Sequence, residues 1–328
     1  MGAPFSFKRL KSPGAIVLLS VCVGGHLVAQ PVEFTRIQRL TNNEVALTLT
    51  APVGRAYRVE SAASLTEWGG LFTFPTNVTS SLQYTDAAAP FLATRYYRAV
   101  QLSGTNLVSG DHLATVHGDV IMQPRNHATL VLQWNGKMLY FDPVPTATYT
   151  GLPKADLILV THTHSDHFNT TTIDAVRGPA CAIIAPPAVY NGLSATQKAI
   201  ATVLTNNASV DLLGVTIHAV PAYGANHPIG AGNGYVLDLG GKRIYVSGDT
   251  GDQPEIRALA DIDVAFVSMN QPYTMTVGAA TNCVRSLRPR VVYPYHYRDQ
   301  SGATTNAATF KQWLGTDLGI EVRLRNWY

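Results

Sequence analysis

Four side chains able to bind a metal stand within six residues: His162, His164, Asp166 and His167, in the run Thr-His-Thr-His-Ser-Asp-His that begins at Thr161. They follow a short apolar stretch, residues 156–161, whose Leu-Ile-Leu-Val core predicts a strand buried on both faces. A turn leaving such a strand can aim several side chains at one point. Imidazole nitrogens with a carboxylate oxygen are the donors that zinc and other borderline divalent ions take. A lone histidine at a strand end is ordinarily satisfied by one hydrogen bond. Four such groups buried together without an ion would cost stability, so the cluster predicts a metal site.

The segment resembles the His-x-His-x-Asp-His signature of the metallo-β-lactamase superfamily, and the resemblance extends over residues 113–297. It implies two metal ions, with His162, His164 and His227 on one, Asp166, His167 and His296 on the other, and Asp249 between them. Gly248-Asp249-Thr250 is similar to the family's bridging Gly-Asp-Thr, and Tyr293-Pro294-Tyr295-His296-Tyr297 to its terminal strand and ligand. The third histidine departs from the usual Pro-Gly-His-Thr setting and stands in Ala225-Asn226-His227-Pro228, where a loop is expected. His218 competes for that place, but the run Val215-Thr216-Ile217-His218 puts it inside a strand. Asp142, in Tyr140-Phe141-Asp142-Pro143, is similar to the family's Asp-Pro and would orient a ligand histidine, or simply start a turn. Asn126-His127-Ala128 resembles a Gly-His-Ala element of lactonase-like members, so His127 either faces substrate or is structural. Tyr223, Tyr273, Tyr297 and Arg298 lie near ligands in sequence and are candidates for substrate contact or packing.

A bridging carboxylate lets two cations share a water and make hydroxide available near neutral pH. The resemblance therefore implies a hydrolase that uses a metal-bridging hydroxide on a lactone, ester or phosphodiester, with Asp166, Asp249 and His127 in the catalytic centre. Zinc is the expected ion, and manganese or iron suit the same donors. True β-lactamases of this fold generally lack the Asp that stands here at 249, and redox members tend to carry Glu where His164 stands. The run of motifs from Gly234 to Tyr297 is most similar to the lactonase-like, general metal-dependent hydrolase branch. Two alternatives stand beside this: a secreted glycan-binding or interaction protein with a vestigial metal domain, and a ribonuclease-like phosphodiesterase.

The elements that must position these residues are strands alternating with helices. Residues 129–134 and 137–142 flank Asn135-Gly136, and residues 235–239 and 243–247 flank Gly240-Gly241, as hairpins do. Helices are predicted over 253–260, 277–287 and 307–314, and strands over 264–267 and 290–294. The expected fold class is α/β, a metallo-β-lactamase four-layer αβ/βα sandwich preceded by a small all-β sandwich-like domain. In that first domain strands are predicted over 45–49, 57–60, 71–74 and 95–100, with Tyr57, Trp68 and Tyr97 as core or edge aromatics. Exposed aromatics there would suit a glycan contact.

Domain boundaries are expected at 1–30, 31–104 and 105–328. The first segment carries Lys8, Arg9 and Lys11, then an apolar run over 15–23, then small residues, the order of a cleaved secretory signal. This predicts export, to the periplasm or outside the cell, with a lipid anchor at Cys22 disfavoured by Val21. Loss of residues 1–30 removes three basic and no acidic side chains, so the formal charge of +3 falls to zero, 21 basic against 21 acidic. A neutral chain without basic clusters argues against nucleic acid and for a small-molecule substrate. Cys181 and Cys283 remain, enough for one disulfide, and more simply read as buried small residues.

Overall fold

The computed structural model describes residues 32–65, 67–103, 108–298 and 301–328, together with the backbone of a strand at Ile16–Ser20. Most of the expected signal segment, Cys22 and residues 104–107 of the expected linker lie outside the described residues. The chain divides into two compact units. The first comprises the described residues up to Ala114 together with Asp119–Gln123, and the second Thr115–Gly118 with Pro124–Tyr328.

In the first unit the strands are β1 (Ile16–Ser20), β2 (Glu33–Arg39), β3 (Val45–Thr50), β4 (Ala56–Ala62), β5 (Gly69–Phe74), β6 (Ser81–Asp86), β7 (Arg95–Leu102), β8 (Gly110–Leu113) and the start of β9 (Val120–Asn126). One sheet has the order β2-β3-β6, and the other carries β1-β7-β4-β5-β8. Alternation decides which side chains meet: Val45, Leu47 and Leu49 of β3 are buried, as are Tyr57 and Val59 of β4 and Tyr97 and Ala99 of β7, and all share one core. The result is a two-sheet sandwich. Tyr57 and Tyr97 are therefore core residues, unavailable for stacking on a sugar. Trp68 lies nearer the surface, covered by the Arg98 guanidinium 4.5 Å from its ring. Strands β2 and β6 are absent from the sequence expectation, because their exposed faces are polar and their apolar residues few.

The second unit holds two sheets. The first contains β10 (Thr129–Trp134), β11 (Lys137–Phe141), β12 (Ala155–Leu159), β13 (Arg177–Ala185) and β14 (Ala201–Val203), antiparallel at β10–β11 and parallel thereafter. The second runs β15 (Ser209–Leu212), β16 (Val215–Gly224), β17 (His227–Leu239), β18 (Lys242–Val246), β19 (Val264–Ser268), β20 (Val291–Tyr295) and β21 (Glu321–Val322). It is antiparallel up to β18 and parallel beyond. Helices are α1 (Thr170–Val176), α2 (Pro187–Gly192), α3 (Ala195–Lys198), α4 (Pro254–Arg257), α5 (Val277–Leu287) and α6 (Ala307–Leu314).

The long strand β17 is buried on both sides, which is why its sequence lacks alternation. Val236 packs with α4, α5 and α6 through Ile256, Val284 and Phe310. Tyr235 points the other way, its ring 6.5 Å from Phe141 of β11 and its hydroxyl donating to Val160 O at 2.7 Å. That bond ties the two sheets together just where β12 ends and the metal-binding run begins. Asn135 and Gly136 both have positive φ, 47° and 71°, as the expected two-residue hairpin requires.

Differences from the sequence expectation are local. Helix α4 is a single turn rather than residues 253–260, since Asp261 turns left-handed and closes it off. Helices α1 to α3 have no counterpart among the sequence-predicted elements; all are under eight residues, too short to show a period. His227 is not in a free loop but opens β17, paired with Gly224 across a tight turn. Cys181 and Cys283 are buried, free thiols, on β13 and α5. Among the described residues no helix is long and apolar enough to cross a membrane.

Candidate metal centre

Every candidate ligand sits just past, or at the start of, a strand of the second unit. His162, His164, Asp166 and His167 fill the turn between β12 and α1, where the N–H groups of His167 and Phe168 both donate to His164 O. Asn169 caps α1 by accepting from Thr172 N at 2.8 Å, so the ligand run ends on a fixed helix start. Asp249 follows β18, and His296 follows β20. Gly248 has a φ of 60°, and a Cβ there would lie 2.9 Å from Asn233 O, so only glycine lets Asp249 turn into the site.

Three non-glycine residues of the site also have positive φ: His127 (53°), Asp142 (45°) and His296 (48°). Such backbone costs of order 1 kcal/mol or more for a residue with a Cβ, and persists where surrounding bonds over-determine it. Asp142 shows those bonds. Its carboxylate accepts from Thr161 N, Thr161 Oγ1 and the His167 ring at Nδ1, each at 2.7 Å, while its own N–H donates to Leu159 O. His167 is thereby held with Nε2 turned toward the cluster. Asp142 thus does what the resemblance implied, orienting a ligand histidine.

The carboxylate of Asp249 is split between two groups of donors. Its Oδ2 is 3.5 Å from His227 Nε2 and 3.9 Å from His162 Nε2. Its Oδ1 is 3.3 Å from His167 Nε2 and 3.4 Å from His296 Nε2. His164 Nδ1 joins the first group 3.3 Å from His227 Nε2, and Asp166 Oδ2 the second 3.4 Å from His296 Nε2. Donors held about 2.0–2.2 Å from one ion in a tetrahedral arrangement lie roughly 3.3–3.6 Å apart, the spacing seen here. His127 stands at the edge of the second group, 3.1 Å from Asp166 Oδ2, its ring centre 3.8 Å from that of His296.

Whether the residues fit a metal is decided by what they lack. His162 Nε2, His167 Nε2, His296 Nε2 and Asp249 Oδ1 are all buried without a hydrogen-bond partner, and all face the same space. Four such atoms side by side would be a heavy cost in a plain protein interior, and divalent cations satisfy all of them at once. The electrostatics agree. Burial, with His167 nearby, holds the His162 imidazole well below its ordinary pKa, and burial lowers His227 as well. Burial opposes ionisation of Asp249 and Asp166, yet the surrounding histidines outweigh it and keep both carboxyls far below the carboxylate range. Neutral imidazoles and ionised carboxylates are the forms that bind metal.

His218 lies elsewhere, half exposed on β16 and 3.0 Å from Asp238 Oδ2 across the sheet. His218→Ala is expected to leave metal content unchanged, whereas His227→Ala lowers it. Elemental analysis of the two purified variants checks this, and the reverse result would move the third ligand to the strand.

Beside the donors a cavity of about 790 Å³ opens, lined by Asn126, Thr146, Asn226, Asn270, Tyr273 and Arg298 as well as His127, Asp166, Asp249 and His296. Of the residues expected near substrate, Tyr273 and Arg298 line it. Tyr223 instead donates to Glu255, and Tyr297 donates to Arg325 O. Sequence reading missed Tyr328, whose hydroxyl is 2.9 Å from His127 Nδ1, because 201 residues separate them and no motif links them.

Residues 123–296 match the β-lactamase superfamily domain. A UPF0173 metal-dependent hydrolase of Pyrococcus abyssi is 30% identical over 210 residues, covering 60% of this chain and 92% of that protein. One of Thermococcus kodakarensis is 32% identical over 213 residues, with the same coverage. A crystal structure from Parabacteroides distasonis, provisionally described as a metal-dependent hydrolase, is 39% identical with a TM-score of 0.60, covering 66% of this chain and 97% of that one. The chain belongs to the metallo-β-lactamase superfamily, among the UPF0173 metal-dependent hydrolases. Its second unit has the metallo-β-lactamase fold, and nearly all of its first unit lies outside the matched domain.

Proposed function

We propose that this protein holds two divalent ions, one at His162, His164 and His227, the other at Asp166, His167 and His296, with Asp249 shared, and hydrolyses a small anionic lactone, ester or phosphodiester. The observation that carries the reading is the set of four buried, unpartnered donor atoms around Asp249, whose two oxygens face two separate groups. When bound, the ions would supply a hydroxide nucleophile near neutral pH and polarise the oxygen of the attacked group. The chain's own residues do the rest. Asp142 fixes His167, Asp249 offsets the repulsion between two cations, and the cavity admits a small polar substrate.

The charge of that substrate is argued from Arg298. It is the single lysine or arginine among the residues lining the cavity, and its guanidinium lies 4.0 Å over the Tyr328 ring. A guanidinium stacked on an aromatic face keeps its edge free to take a carboxylate or phosphate. The bridging Asp249 supports the lactonase-like branch over β-lactam hydrolysis, and the basic then apolar N-terminus supports export.

The test is a panel of lactones, carboxylic esters and phosphodiesters, each in a neutral and an anionic form, alongside a β-lactam. Hydrolysis is expected to stop on chelation, to return with zinc or manganese, and to favour the anionic members. Arg298→Gln should raise KM for anionic substrates by roughly 10-fold or more, the loss of one charged hydrogen bond, and leave neutral ones unchanged. Turnover that survives chelation, or equal use of neutral and anionic forms by wild type and variant, would overturn the reading.

A further inference from the structure

We infer that Tyr328 is a positioning residue for His127, its hydroxyl fixing the imidazole proton on Nε2, where it faces Asp166 and the cavity. The argument is an inventory of protons. A phenol oxygen has one proton to give and two lone pairs to accept with. The backbone N–H groups of Tyr297 and Arg298 both donate to Tyr328 Oη, each at 3.0 Å. These occupy the lone pairs, so the phenolic proton goes to the third neighbour, His127 Nδ1, at 2.9 Å. A ring nitrogen that accepts carries no proton of its own, and a neutral imidazole then carries it on the other nitrogen. That nitrogen, Nε2, is 3.1 Å from Asp166 Oδ2, and a carboxylate oxygen can only accept. Both ends of the chain Tyr328–His127–Asp166 demand the same tautomer.

The backbone holds the ring in the same pose. His127 N–H donates to Trp327 O, and His127 O accepts from His296 N–H, each at 3.2 Å. These bonds over-determine the left-handed φ of His127 described above. His127 is therefore a hydrogen-bond donor to the site rather than a metal ligand, with Nδ1 engaged and Nε2 protonated. The same phenol ring carries the Arg298 guanidinium, so one residue sets two groups that line the cavity. Bonds of this kind, one step behind the residues that meet metal or substrate, are worth about 10–100-fold in activity when removed.

The inference concerns a proton position and stands apart from which bond the enzyme cleaves. Its test is long-range proton–nitrogen correlation NMR on the zinc-loaded, ¹⁵N-histidine-labelled full chain, with His127 assigned from its absence in His127→Gln. In the wild type, Nε2 is expected to carry the proton and Nδ1 to show the signature of a bare, hydrogen-bonded nitrogen. In Tyr328→Phe, which keeps the ring beneath Arg298, the Nδ1 resonance should move toward that of a free nitrogen, with metal content unchanged and kcat lowered roughly 10–100-fold. A protonated Nδ1 in the wild type would overturn the inference by itself, whether or not the variant folds. So would an unmoved Nδ1 resonance in Tyr328→Phe, or loss of metal from it.

Discussion

Asp249→Ala is expected to emerge from purification with fewer than two ions per chain and to lose hydrolysis by more than the about 10–100-fold that follows loss of a residue merely supporting a ligand. The reason is charge. Asp249 is the buried carboxylate in contact with four imidazoles, two on each oxygen. Without it, two cations would be held in a poorly hydrated cleft by neutral donors and the half-exposed Asp166 alone. Asp249→Asn separates charge from shape, since the amide fills the same space without the formal charge. It should resemble the alanine variant in metal content. If the asparagine variant keeps both ions, size rather than charge is what Asp249 contributes.

The largest effect on stability is expected at Asp142. Its carboxylate is fully buried and is paired with His167 and with both donors of Thr161. Removing one partner of a buried charged pair typically costs about 3–5 kcal/mol, because the other is left unpaired. Asp142→Ala should lower the unfolding free energy of the metal-free protein by that order in urea, and should also loosen His167 and weaken metal binding. Burial pushes the Asp142 carboxyl up, while His167 and Thr161 pull it back. An unchanged urea midpoint would mean that the Thr161 and His167 bonds contribute little to the fold.

What could be read from the sequence followed the locality of the signal. His162, His164, Asp166 and His167 fall within one turn after one buried strand, and that density is visible without a structure. Asp249 and His296 were legible through the short runs around them, Gly-Asp-Thr and Tyr-His-Tyr, each at the end of an apolar strand. Their meeting at Asp249 is a property of the sheet order, which no spacing encodes. His127 was visible only as half a motif, because its role depends on Tyr328 from the far end of the fold. The left-handed backbone at His127, Asp142 and His296 was not legible at all, since nothing in those residue types calls for positive φ. Helices α5 and α6 were legible from their period and their Thr276 and Asn306 caps, whereas α1 to α3 were too short to show one.

The central claim, that Asp249 joins two metal sites with separate histidine sets, is tested most directly by anomalous diffraction from crystals of the metal-loaded protein, recorded at the absorption edge of the bound element. The account predicts two peaks, one among His162, His164, His227 and Asp249, the other among Asp166, His167, His296 and Asp249. A single peak, or a second one ligated by His127 in place of His167, would contradict it.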